Sequence, residues 1–132
     1  MKLFYRGTTL FTFFLLLVTS ACQEKSKGEL GSELIEAVRE GKASQVRSLI
    51  EAGASLSVRD ENGEILWRVA LEHYNKRTWE VLTENHIDLS EPDSGASYAI
   101  HVAAANGLSD AAERILKLDA GKVRLNANGD TP

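Results

Sequence analysis

Four side chains in this 132-residue sequence are suited to covalent or metal chemistry: the thiol of Cys22 and the imidazoles of His73, His86 and His101. A cysteine can act as nucleophile, acyl acceptor or soft metal ligand, and a neutral imidazole as base or zinc ligand. Each role needs companions at a set spacing. His73 and His86 have no cysteine or paired carboxylate at a zinc-like interval. The sequence contains no Gly-x-Ser-x-Gly elbow, no His-Glu-x-x-His and no glycine-rich phosphate loop. Cys22 is the only cysteine, so no internal disulfide can form. Charged residues such as Glu33, Glu36 and Arg39 suit a solvated helix face better than an acid–base pair. The expectation is a protein with no catalytic residues, no metal and no cofactor, hence not an enzyme.

The elements that carry these residues recur. Tyr98-Ala-Ile-His-Val-Ala-Ala-Ala-Asn-Gly107 reads as a short apolar helix ending in a turn, and its pattern returns every 33 residues. The turn falls at Gly41, Tyr74 and Gly107. A small residue stands at Ala37, Ala70 and Ala103, and an apolar one at Leu34, Trp67 and Ile100. A second helix in each unit aligns Val46, Trp79 and Ala112, then Leu49, Leu82 and Ile115. It ends at Gly53, His86 and Asp119, types that tolerate a left-handed conformation. Asn62-Gly63 and Asn128-Gly129 mark hairpin turns two periods apart.

These columns resemble the ankyrin repeat, whose inner helix begins T-P-L-H-x-A. The resemblance covers about Gly31 to Pro132. It implies an all-α solenoid of helix-turn-helix units with hairpin loops, about three repeats over 32–63, 64–96 and 97–129, and a truncated fourth from 130. In the first unit Ser32 is the expected N-cap, and the second helix spans about 43–52. The second unit departs most from the family: Ile65-Leu66 replace Thr-Pro, Arg68 takes the histidine slot and Tyr74 the turn glycine. Trp67 and Trp79 either fill the core or leave one edge exposed as a binding anchor. The third unit places His101 in the family's structural slot, with a hairpin over Ser90–Gly95 and an outer helix from about Asp110 to Leu118. Asn128-Gly-Asp-Thr-Pro132 resembles a repeat opening cut short, which implies a longer array.

Residues 1–21 read as an export signal: Lys2 and Arg6, an apolar run from Leu10 to Val18, then Thr19-Ser20-Ala21. The run is shorter than the roughly 20 apolar residues that span a bilayer. Val18-Thr-Ser-Ala-Cys22 resembles a bacterial lipobox, with Thr19 where leucine is usual. That implies lipidation at Cys22; ordinary cleavage after Ala21, giving a soluble periplasmic protein, is the alternative. Gln23 resembles the signal for outer-membrane sorting. Residues 22–31 are then a lipidated cysteine and flexible tether.

The net charge of −4 becomes −6 once the two cations Lys2 and Arg6 are removed with the signal, which argues against nucleic acid. Ankyrin arrays bind through inner-helix faces and hairpin tips. In this register those positions are Arg39, Glu40, Arg59, Glu61, Asn62, Glu64, Glu72, His73, Ser94, Ser97 and Asn106. Their acids outnumber their bases, which favours a protein partner with a basic patch. The whole resembles ankyrin-repeat lipoproteins that act as immunity proteins against phospholipase effectors of type VI secretion. The expected localisation is the periplasm, anchored in the outer membrane. Alternatives are a scaffold or regulator of an envelope enzyme, and the N-terminal part of a longer enzyme.

Overall fold

A computed structural model of the chain describes residues 25–118 and 128–129. The export signal, Cys22 and the Asp119 helix end fall outside these residues. Six helices and no strand occur among the described residues: α1 (Lys27–Arg39), α2 (Ala43–Glu51), α3 (Leu66–Glu72), α4 (Lys76–Glu84), α5 (Ala99–Ala105) and α6 (Ser109–Leu118). They form three packed pairs joined by short turns, α1 with α2, α3 with α4 and α5 with α6. The first members pack in series, α1 on α3 on α5, and the second members α2 on α4 on α6. The starts of α2, α4 and α6 at Ala43, Lys76 and Ser109 keep the 33-residue interval of the sequence.

The two layers meet over one apolar core. Leu34, Trp67 and Ile100 are buried in it, as are Ala37, Ala70 and Ala103, where a larger side chain would hold the layers apart. From the second layer come Val46 and Trp79, then Leu49, Leu82 and Ile115; Ala112 is half-buried. Both tryptophans are core residues, 0% and 1% exposed, so neither offers an edge to solvent. Leu116 and Leu118 lie off the Ala111–Ile115 stripe of α6 and are exposed.

Helix α1 starts earlier than expected. Ser26, not Ser32, is the N-cap: its Oγ accepts from the Glu29 N–H at 3.3 Å, and Glu29 Oε2 accepts from the Ser26 N–H at 2.8 Å. This reciprocal pair satisfies two backbone donors at once, and Ser32 has no comparable partner. Ser32 lies within the helix and its hydroxyl donates to the Gly28 carbonyl at 3.2 Å. Leu30 and Gly31, assigned above to a tether, are buried. A Cβ at position 31 would come 2.8 Å from Val58 Cγ1, so glycine lets α1 approach the loop behind it.

The turns inside the pairs follow residue type. Gly41 and Gly107 are left-handed (φ 68° and 67°), and in both turns the next N–H reaches back to a carbonyl five residues earlier, Lys42 to Ala37 and Leu108 to Ala103, each at 2.9 Å. Tyr74 stays out of that region because its Cβ opposes positive φ. The middle turn is instead re-entered by Asn75, whose Oδ1 caps α4 by accepting from the Thr78 N–H at 3.1 Å.

Candidate interaction surface: the hairpin edge

Between pairs, the chain makes a tight loop over Asp60–Glu64 and another over Asp93–Ser97. Each is closed by an N–H from the aspartate to a carbonyl four residues on, at 3.0 and 2.8 Å. Each has a left-handed residue three positions after the aspartate, Gly63 (φ 78°) and Ala96 (φ 57°). Gly129 (φ 80°) holds the same slot one period later. Only the first loop carries a ladder contact, an antiparallel bridge between Arg59 and Ile65. In the second loop the left-handed residue is Ala96 and not its glycine neighbour Gly95. The hairpin glycine is therefore one position out of register with the backbone that needs it.

Asp60 and Asp93 organise the two loops. Asp60 Oδ1 accepts from the N–H groups of Asn62 and Glu64, both at 2.9 Å, and Oδ2 receives Arg39 Nη2 at 3.0 Å. Asp93 Oδ1 accepts from Gly95 and Ser97 at 2.9 and 2.8 Å, and Oδ2 receives Arg68 Nη1 at 3.1 Å. Both carboxylates are only 6% exposed. Burial pushes the Asp60 carboxyl up, yet the Glu64 and Asn62 N–H groups and the Arg39 guanidinium together hold it below the usual aspartate range. Because each arginine belongs to the preceding helix pair, each aspartate ties its loop to the pair before it.

The expected surface residues mostly serve this edge. Arg39 also holds Glu61 at 3.1 Å; the hydrogen bond it donates to the Glu61 carboxylate keeps the guanidinium's pKa above its usual value. Glu61 is lowered first by a hydrogen bond from its own backbone and then by Arg39. Arg59 donates to the Gly63 carbonyl at 3.1 Å and pairs with Glu91 at 3.2 Å. Glu72 accepts from Arg68 at 2.9 Å, Glu40 pairs with Lys42 at 2.6 Å, and the Ser94 hydroxyl donates to Glu64. Asn62, His73 and Asn106 are exposed, and Ser97 is half-buried. Of the expected acids, Glu40, Glu61 and Glu72 are thus paired with Lys42, Arg39 and Arg68, while Glu64 takes only the Ser94 hydroxyl and keeps its buried Oε2 without a partner.

Four residues at this edge went unassigned in the sequence: Asp60, Arg68, Glu91 and Asp93. Glu91 also matters through its backbone, since its carbonyl accepts from Trp67 Nε1 at 3.2 Å. A signal for the two aspartates was there: they stand 33 residues apart, each leading a short turn sequence, a setting in which aspartate caps its own backbone. The three histidines do not converge. His73 and His86 are exposed, while His101 is buried beside the Tyr98 ring, centroids 6.0 Å apart. Among the described residues no group of three or more His, Cys, Asp or Glu side chains is placed to hold a metal ion, and no helix is long and apolar enough to cross a membrane. No protein-family model matches the chain, and no curated protein matches it.

Proposed function

We propose that this chain is an ankyrin-type solenoid tethered by lipid in the bacterial periplasm, and that it binds a protein partner through its hairpin edge. Under this proposal it is an immunity protein that neutralises a toxic phospholipase effector by a stoichiometric complex, without turnover. The observation that carries it is the 33-residue recurrence of helix pairs and loops, with left-handed slots at Gly63, Ala96 and Gly129 and an aspartate fixing each fully described loop. Such an edge offers a preorganised shape, and a partner need not order it on binding. Anchoring adds a geometric condition. Between Cys22 and the first helical residue Lys27 stand four residues, a reach of roughly 14 Å at full extension. An acylated Cys22 would therefore hold α1 close to the membrane surface, where a lipid-directed toxin works.

The test has two arms. Cells making the chain should incorporate labelled palmitate into it, and Cys22→Ser should abolish the label. The chain should co-purify with the phospholipase encoded beside its gene and protect cells that express that enzyme in the periplasm. Absence of both complex and protection removes the immunity proposal, and absence of label in the wild type removes the tether.

A further inference from the structure

The 33-residue period allows the two ends of the stack to be compared position by position. A site that is buried in the second and third pairs but open in the first is one that the preceding pair covers. Val69 and Val102 are such a site, and their counterpart in α1 is the exposed Glu36. Leu66 and Ala99 are another, with the half-buried Glu33 one period earlier. In the second layer Val81 is buried and its counterpart Ser48 is exposed. The front of the stack is therefore polar, as the end of an array of packed pairs must be to stay soluble.

The back is not. A site buried in the first two pairs but open in the third is one that a following pair would cover. Val38 and Leu71 are 0% and 1% exposed, while Ala104, one period on, is exposed. Thr83 is 2% exposed because α6 lands on it, with Arg114 donating to its hydroxyl. Leu116, in the same position of α6, is 58% exposed. Trp79 is buried and its counterpart Ala112 only half-buried. Ala104, Ala112 and Leu116 thus make an uncovered apolar face with no charge in it. Gly129 keeps the left-handed slot one period after Ala96. The residues between Leu118 and Gly129 therefore correspond in sequence to 86–95, the stretch that joins α4 to the second hairpin loop.

The front of a second copy does not complement this face, since it would press Glu33, Glu36 and Ser48 against apolar side chains. The back of a second copy does. A two-fold axis across α6 at the level of Ile115 lays two α6 helices antiparallel and sets Ala112 and Leu116 of one copy on those of the other. The neighbouring charges agree with that axis. Glu113 and Lys117 stand one turn apart, are 66% and 71% exposed and pair with each other at 2.6 Å. The axis brings Glu113 of each copy opposite Lys117 of the other, whereas a parallel arrangement would oppose like charges. We propose that two copies of this chain associate back to back through α6. The contact uses no residue of the hairpin edge, so it is independent of the partner proposed above.

The test is sedimentation of the full chain in density-matched detergent micelles. Its protein mass should rise from one copy to two with concentration and go no higher. Leu116→Glu should hold it at one copy over the same range with unchanged helix content; if that variant does not fold, Leu116→Ser serves in its place. Glu113→Lys should weaken self-association roughly fivefold, the scale of an exposed ion pair. Adding Lys117→Glu should restore it, because the exchanged charges again complement each other across the axis. With Cys22→Ser removing the native thiol, Ala112→Cys should cross-link to itself on oxidation and Ser48→Cys should not. A chain that stays monomeric, leaving the face to residues 119–132 or to another protein, overturns the proposal. So do a mass beyond two copies, undiminished pairing in the Leu116 variants, a charge exchange that fails to restore association, and cross-linking through position 48.

Discussion

Along the hairpin edge, Asp60 and Asp93 each gather two backbone N–H groups and an arginine from the preceding helix pair. Along the outer edge, between α4 and α6, Trp79 buries an N–H that nothing receives. Both edges join the same helix pairs, so the contrast is one of use. A satisfied polar network rigidifies and specifies a geometry, whereas a buried group left without a partner costs its desolvation. Asp60 and Asp93 hold the hairpin loops in shape, whereas the Trp79 N–H on the outer edge, like Glu64 Oε2 on the hairpin edge, is buried without a partner.

The largest effect should come from the core that both edges share. Trp67 is fully buried between helix pairs, so Trp67→Ala should destabilise the chain by about 3–5 kcal/mol. A shift of the urea midpoint measures it, and a loss under about 1 kcal/mol would mean that the pairs do not pack through this residue. Next comes the hairpin edge itself. Asp60→Ala removes the acceptor of two N–H groups and a guanidinium and should cost about 2–3 kcal/mol. Its pH dependence has a definite sign. The folded chain holds the Asp60 carboxyl below its ordinary value, so its ionised form favours folding. That contribution is complete above the ordinary aspartate value of about 4 and fades as pH falls through the lower folded value. The stability gap between wild type and Asp60→Asn should therefore shrink on acidification; a gap that widens would contradict the assigned geometry.

A subtler comparison uses the two tryptophans. Trp67→Phe removes an N–H that is bonded and strands the Glu91 carbonyl, while Trp79→Phe removes one that is not. With similar volume lost from each, Trp67→Phe should be the more destabilising by about 1 kcal/mol. Equal losses would mean that the Trp79 donor is satisfied in solution, and the contrast between the edges would narrow.

Much of the fold was legible because its period is carried by many weak columns at once. Leu34, Trp67 and Ile100, or Ala37, Ala70 and Ala103, each look ordinary alone and agree only when set 33 apart. The start of α1 was missed because that period pointed to Ser32, while a local capping box at Ser26 and Glu29 decided the matter. The surface was legible by position and not by state. Arg39, Glu61, Glu64 and Glu72 do lie at the edge, but charge counting cannot reveal that they already have partners, Glu72 on its own helix and the others on neighbouring elements. Asp60 and Asp93 were passed over because an acidic loop residue looks like solvated charge until its backbone partners are known. The Trp79 donor had no sequence signal at all, since only packing decides whether an indole N–H finds an acceptor.

The smallest expected effect tests whether the two loops share one template. Gly63 and Ala96 occupy the same slot with φ of 78° and 57°, a region that glycine enters freely and a residue with a Cβ does not. The left-handed conformation costs a non-glycine residue about 1–2 kcal/mol. Glycine at position 96 would remove that strain and lose part of the gain to the larger conformational freedom of the unfolded chain. Ala96→Gly should therefore stabilise the chain by about 0.5–1 kcal/mol, read as a higher urea midpoint with unchanged slope. The reverse change in the first loop, Gly63→Ala, meets no atom within 4 Å of the added Cβ, so its cost reports backbone strain less the freedom the unfolded chain loses, with no clash. If both loops follow one geometry, the two substitutions should move the midpoint in opposite directions by similar amounts. A destabilising Ala96→Gly would show that the second loop adopts a different backbone in solution, and the tie from Asp93 to Arg68 would then need another path.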